Sequence, residues 1–72
     1  ISNSNRSNIK ILSTSEGVLV VDANIGDDIC VYNIIGILQQ SVKVNANIID
    51  IPLKKGNYYI FKVGTETKII RY

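Results

Sequence analysis

Residues 57–63 read Asn-Tyr-Tyr-Ile-Phe-Lys-Val, and the alternation of side chains along this stretch predicts a β-strand with one buried face. Successive side chains of a strand point to opposite faces of its sheet, so Tyr59, Phe61 and Val63 share one face. That face is wholly apolar or aromatic, which indicates that it packs inward. The opposite face carries a tyrosine, an isoleucine and a lysine, which is typical of a surface that is at least partly exposed to water.

Short apolar runs of the same kind, separated by turn residues, follow one another from Ile9 onward. Fourteen isoleucines, seven valines and three threonines fill a third of the 72 positions, and β-branched residues favour strands over helices. The runs predict seven strands, at Ile9–Leu12, Val18–Asp22, Asp28–Ile34, Ile37–Val44, Asn47–Ile51, Asn57–Val63 and Thr67–Arg71. A spacing of about nine residues per strand and turn predicts an all-β fold, a small antiparallel sandwich or barrel without a helix.

The length of the chain allows one domain at most. Residues 1–8 are almost all serine and asparagine, and we expect them to form a flexible linker from a parent protein. Residues 9–72 are then the sandwich module. Because the sequence begins with Ile1 and contains no methionine, we expect it to be a piece of a longer protein.

The composition argues against catalysis. The chain has no histidine, so it lacks the usual general base near neutral pH and any imidazole ligand for a metal. Cys30 is the single cysteine, and we expect it to be a small buried hydrophobic residue rather than a reactive thiol. Lys54 and Lys55 fall in a predicted exposed turn, where nothing would activate them as nucleophiles. We predict that the protein is not an enzyme, with no catalytic residue and no cofactor.

Acidic residues cluster around Gly26, where Asp22, Asn24, Asp27 and Asp28 offer the oxygen ligands that Ca²⁺ prefers. Their spacing does not fit a helix-flanked calcium loop, and no glutamate follows at the closing position. Acidic residues are common in turns before strands for local hydrogen-bonding reasons. We therefore predict no metal site. No apolar run approaches the roughly 18 residues of a membrane span, so we also expect no membrane insertion.

A polar and aromatic set in the last two predicted strands is the candidate recognition surface: Tyr58, Lys62, Lys68, Arg71 and Tyr72. An exposed Tyr58 beside polar groups is suited to stacking on a sugar ring, which leaves a carbohydrate partner open. The alternative is that Tyr58 covers the edge of the core with its hydroxyl group in water. A net charge of +2 is small for a nucleic-acid-binding protein, so we expect no nucleic-acid partner.

Two stretches of the chain resemble a known family. The first is Ile29–Leu38, with Tyr32-Asn33 followed by Gly36; the second is Ile49–Gly56, followed by the strand quoted above and a basic-apolar last strand. Together they resemble the C-terminal sorting domains of the type IX secretion system and related short C-terminal β-sandwich modules of secreted Bacteroidetes proteins. The resemblance covers about residues 9–72. The family's usual opening, an aromatic residue followed by Pro-Asn-Pro, is absent, and residues 7–10 read Ser-Asn-Ile-Lys there.

The resemblance implies an immunoglobulin-like sandwich of seven strands that is appended to a larger exported protein and has no enzymatic activity. It implies a secreted or cell-surface location. We expect a protein partner, either the secretion or surface-attachment machinery or other domains of the parent. A carbohydrate-binding or adhesion module and a purely structural spacer are the alternatives.

Overall fold

The computed structural model describes residues 9–72, which form seven β-strands and no helix. The strands are β1 Lys10–Ser13, β2 Gly17–Val21, β3 Asp28–Asn33, β4 Leu38–Lys43, β5 Ile48–Pro52, β6 Tyr58–Val63 and β7 Glu66–Arg71. The all-β prediction is confirmed, and each predicted strand end lies within one residue of the observed end. The predicted linker of residues 1–8 lies outside the described residues.

The strands form two antiparallel sheets, one of three strands in the order β1-β2-β5 and one of four in the order β4-β3-β6-β7. The chain crosses between them after β2, after β4 and after β5. In a constant-type immunoglobulin domain the fourth strand completes the first sheet. Here β4 pairs with β3 instead, so the sandwich is divided three plus four.

The core lies between the inner faces of the two sheets. Tyr59, Phe61 and Val63 point inward from β6, as their alternation predicts, and Phe61 is fully buried. The other buried apolar residues described are Val18, Val20, Ala23, Ile29, Val31, Val44, Ile49 and Ile51. No polar or charged side chain is buried among the described residues, so burial of apolar area is the main stabilising contribution.

Cys30 corrects one expectation, because it is half-buried on the outer face of the four-stranded sheet and not in the core. Its neighbours Ile29 and Val31 are fully buried, so the two-residue period of the strand sends the thiol outward. There its sulfur lies 3.9 Å from the Ser41 hydroxyl, and Lys62 is its partner across the ladder.

The register places the loops at two opposite ends of the sandwich. One end carries residues 14–16, the β3–β4 turn at 34–37, the segment 53–57 and Tyr72; we call it the apolar end. The other carries residues 22–27, 44–47 and 64–65, and we call it the acidic end. Because Lys10 pairs with Val21, the chain enters β1 at the acidic end.

Tyr72 joins the two sheets at the apolar end. Its hydroxyl group donates a hydrogen bond to the carbonyl oxygen of Thr14, in the loop that follows β1. Its backbone N–H donates to the Asn57 carbonyl at 2.9 Å, and its own carbonyl accepts from Gly56 at 2.7 Å. The ammonium group of Lys55 lies 5.2 Å from the centre of the Tyr72 ring. This tyrosine is therefore part of the structure of the sandwich.

Candidate recognition surface

The turn between β3 and β4 exposes a compact group of aliphatic side chains. Ile34, Ile35 and Ile37, which we call the isoleucine tip, are each more than half exposed, and Ile35 reaches 75%. Gly36 adopts a φ of 93°, a conformation that residues with a side chain rarely tolerate. Three exposed isoleucines in four residues form a patch of the kind that marks interaction sites.

The side chain of Asn33 holds the isoleucine tip in shape. Its Oδ1 accepts hydrogen bonds from the backbone N–H groups of Ile35, at 3.1 Å, and Ile37, at 2.9 Å. The N–H of Gly36 donates to the Asn33 carbonyl at 2.9 Å, and the N–H of Asn33 donates to the Ile37 carbonyl at the same distance. The tip is thus a closed turn whose backbone donors at positions 35–37 are all used internally.

A second apolar feature crosses the outer face of the four-stranded sheet. Leu38, Tyr32, Ile60 and Ile69 stand in register on the neighbouring strands β4, β3, β6 and β7; we call them the outer band. Ile69 is 65% exposed, although it lies in the middle of a strand. Because the outer face of an antiparallel sandwich is ordinarily polar, an apolar row across all four strands is an unusual feature of this surface.

Tyr58 and Arg71 lie beside the outer band, one position nearer the apolar end. They are directly paired on β6 and β7, and the guanidinium carbon of Arg71 lies 5.8 Å from the centre of the Tyr58 ring. Tyr58 is 51% exposed, so about half of its side chain remains accessible to a partner.

The structure separates the residues of the predicted recognition set. Tyr58, Lys62 and Arg71 share the outer face of the four-stranded sheet. Lys68 points to the inner side, because it is the partner of the inward-facing Phe61, and it lies 4.0 Å from the Glu66 carboxylate. Tyr72 is the link between the sheets described above. Only three of the five residues therefore belong to one surface.

Neither the isoleucine tip nor the outer band is predicted from the sequence. Ile34 and Ile37 are predicted only as the ends of the third and fourth strands. The signal that could have identified the tip is Gly36, which places the flanking isoleucines in a turn, where side chains have no opposing sheet to contact. The outer band has no comparable signal, since it depends on which strands are neighbours.

Charge is distributed unevenly between the two ends. The apolar end carries Lys54, Lys55 and Arg71, and Glu16 is the one acidic side chain among the described residues of its loops. The opposite end carries the acidic residues Asp22, Asp27, Asp28 and Glu66. Those acidic side chains are accompanied by Lys10 and Lys43, so the larger excess of positive charge lies at the apolar end, which also carries the exposed isoleucines.

The carboxylates of the acidic end have local structural partners. Asp28 forms an exposed ion pair with Lys43, at 3.1 Å. A methyl group on Gly64 would lie 2.7 Å from the Asp27 carboxylate, so that side chain fills the space over the glycine. In the described part of the chain, no three His, Cys, Asp or Glu side chains lie close enough to hold a metal ion together.

A cleft of about 400 Å³ opens between the two sheets on the side of β4. It is lined by Gln39, Gln40, Pro52, Leu53, Lys54 and Tyr59. The amide nitrogen of Gln40 donates to the Pro52 carbonyl at 2.6 Å, and the Tyr59 hydroxyl donates to the Lys54 carbonyl at 2.9 Å. The Gln39 amide donates to the Ile37 carbonyl, at 3.0 Å, which connects the cleft to the isoleucine tip.

The free edges of both sheets carry features that oppose pairing with another strand. β7 directs Lys68 to its inner side, and β4 has a bulge where Tyr32 pairs with Leu38 after Val31 has paired with Gln40. β5 ends in Pro52, and β1 has only four residues. Inward charges, bulges, prolines and short length are established protections of sheet edges. The exposed faces are thus better suited to recognition than the edges.

The chain matches no family model, no curated protein and no solved structure in the comparisons with known proteins. Within residues 9–72 there is also no helix long and apolar enough to cross a membrane.

Proposed function

We propose that this module is a non-catalytic C-terminal β-sandwich appendage of a larger exported protein, secreted or held at the cell surface. Secretion or surface-attachment machinery recognises it through the outer band. The observation that carries the proposal is the apolar row of Leu38, Tyr32, Ile60 and Ile69 on the solvent side of the four-stranded sheet. Such a row leaves apolar area in water unless a partner covers it.

The composition of the surface around the outer band supports a protein partner. Tyr58 and Arg71 lie directly beside the band, and tyrosine and arginine are enriched among the residues that contribute most to protein interfaces. The protected edges favour a partner that contacts side chains on a face rather than one that adds a strand. The resemblance of residues 9–72 to type IX sorting domains supports the same assignment.

The test is export of the parent protein carrying Leu38→Ser and Ile69→Ser together. Both side chains are at least half exposed, so the fold should be retained while the band is interrupted. We expect the parent to accumulate inside the cell. Removal of the last strand is a poorer test, because it also removes Ile70 and Tyr72, which pack against the core.

The matched control is Ile25→Ser, which removes an equally exposed isoleucine, 68% accessible, from the acidic end. We expect its export to equal that of the wild type. If the band variant is exported as well as the control, the recognition proposal is wrong and the structural spacer becomes the better assignment.

The alternative function, binding of carbohydrate, is favoured by the cleft beside β4. Gln39 and Lys54 bring an amide and an ammonium group to its rim, and such groups donate hydrogen bonds to sugar hydroxyls. Tyr58 offers a separate stacking surface. A glycan panel tested with the wild type, Tyr58→Ala and Gln39→Ala distinguishes binding in the cleft from stacking on Tyr58. Absence of binding at millimolar sugar would remove this alternative.

A further inference from the structure

The apolar end of the module combines the exposed isoleucine tip with cationic side chains. The isoleucine tip projects from the apolar end, and the cations of Lys54, Lys55 and Arg71 lie at that same end. Lys54 is fixed there by its backbone N–H, which donates to the hydroxyl of Tyr59 at 3.2 Å. Tyr59 in turn pairs with Asn33, the residue that holds the tip. Apolar tip and cationic surroundings thus belong to one continuous structure.

We propose that the apolar end docks on an anionic lipid surface, with the isoleucine tip entering the region between headgroups and acyl chains. This goes beyond the proposed function, since it concerns the tip and its lysines rather than the outer band. A tip that reaches only the boundary between headgroups and acyl chains requires no membrane-spanning run. The proposal therefore departs from the expectation of no membrane insertion drawn from the sequence.

The hydrogen bonding of the tip is the first argument for this partner. A backbone N–H group that enters an apolar environment without an acceptor carries a large energetic penalty. The N–H groups of Ile35, Gly36 and Ile37 all donate to Asn33, so these three donors stay hydrogen-bonded when the tip enters an apolar environment. A tip arranged in this way offers few donors to a sugar or to an added strand, but it is suited to an apolar phase.

Charge is the second argument. Lysine and arginine residues close to a membrane are attracted by anionic headgroups, and the attraction decays within a Debye length. The end that carries the tip has three cations and, among the described residues of its loops, the single acid Glu16, whereas at the far end the acids Asp22, Asp27 and Asp28 offset the cations. The uneven charge distribution therefore orients the module with its tip toward an anionic surface.

The path of the chain is compatible with this orientation. Ile9 leads into β1 at the acidic end, so this residue lies on the side opposite the tip.

The first experiment measures co-sedimentation of the 72-residue chain with vesicles. Vesicles of phosphatidylcholine alone are compared with vesicles that also contain phosphatidylglycerol. We expect binding to the anionic vesicles, weakened by salt. The double variant Lys54→Gln with Lys55→Gln should lower the vesicle–water partition coefficient by about 25-fold, because each lost charge lowers it about fivefold. Ile34→Ser with Ile35→Ser should lower it by about tenfold or more, because the apolar contact is lost. Ile25→Ser is the matched control and should bind like the wild type.

The second experiment uses fluorescence. Because the chain has no tryptophan, Ile35→Trp introduces a single reporter at the tip. Its emission should shift to shorter wavelength with phosphatidylglycerol vesicles, whereas the emission of Ile25→Trp should not. Circular dichroism of every variant establishes that the sheet content is unchanged.

Absence of binding by the wild type at low salt would overturn the proposal, and so would binding that the serine substitutions at the tip leave unchanged. If the wild type does not bind vesicles and the tip variant also loses export, the tip is assigned to a protein partner instead. Export that depends on Leu38 and Ile69 is measured separately, so either proposal can fail without the other.

Discussion

The hydroxyl group of Tyr72 donates a hydrogen bond to the carbonyl oxygen of Thr14, and this bond joins the two sheets across 58 positions of sequence. Thr14 follows the edge strand β1 of one sheet, and Tyr72 follows the edge strand β7 of the other. Tyr72 is therefore a structural contact rather than a free recognition group. Its side chain is partly buried against the core, which adds an apolar contribution to the same link.

Tyr72→Phe removes this hydrogen bond and keeps the ring. We expect a loss of about 1 kcal/mol in the free energy of unfolding. For a domain of this size that lowers the thermal midpoint by roughly 4–8 °C. Thermal unfolding followed by circular dichroism measures it. Tyr58→Phe makes the same chemical change at an exposed position and should leave the midpoint unchanged. Equal midpoints for both variants would contradict the link.

Phe61→Ala should be the most damaging truncation on β6, since Phe61 is fully buried between the sheets. Removal of a buried phenylalanine costs about 3–5 kcal/mol, which approaches the whole stability of a small domain. Urea unfolding should show a chain that is largely unfolded before denaturant is added. Ile69→Ala, on the exposed face of β7, should change stability by less than about 0.5 kcal/mol. A cooperative, wild-type-like transition for Phe61→Ala would refute this account of the core.

Asn33→Ala should loosen the isoleucine tip without unfolding the sandwich. The substitution removes the acceptor for the N–H groups of Ile35 and Ile37. Hydrogen exchange at these two amides should accelerate, while exchange in β6 stays slow. Asn33→Asp retains an oxygen at the same place and should restore protection. If the alanine variant leaves both amides as protected as before, another group holds the turn.

Gly17→Ala should destabilise the three-stranded sheet for a steric reason. A Cβ atom at position 17 would lie 2.0 Å from the carbonyl oxygen of Ile51, a backbone atom that cannot move without disturbing β5. We expect a loss of several kcal/mol, on the order of that for a severe core substitution. Gly36→Ala meets no neighbour within 4 Å and should cost only the strain of its φ, about 1–2 kcal/mol. Denaturant midpoints compare the two; a milder effect at position 17 would be evidence against this packing.

The inner face of the four-stranded sheet could be predicted from the sequence because it depends on the alternation within each strand. Tyr59 and Phe61 are buried as that alternation requires, and so are Ile29 and Val31. The prediction that Cys30 is buried is wrong, because the alternation of its own strand sends it outward. A small apolar side chain favours burial, but its position in the strand decides which face it occupies.

The recognition surface could be predicted only in part, because it depends on pairing between strands. The predicted recognition set contains Lys68 together with Tyr58, yet the register of Lys68 opposite Phe61 turns it to the inner side. The outer band required knowledge that β3 lies between β4 and β6. Strand order arises from the packing of the whole chain, and no local pattern near Ile60 or Ile69 encodes it.

The opposition of the two ends has a practical consequence for how the protein is immobilised or labelled. An affinity tag or fluorophore attached through Ile9 is joined to the module at the acidic end, opposite the isoleucine tip, so it leaves the tip free for contact. A label joined after Tyr72 would sit among the lysines and shield them. Biosensor surfaces should therefore capture this protein at the acidic end, since capture at the apolar end would hide the isoleucine tip.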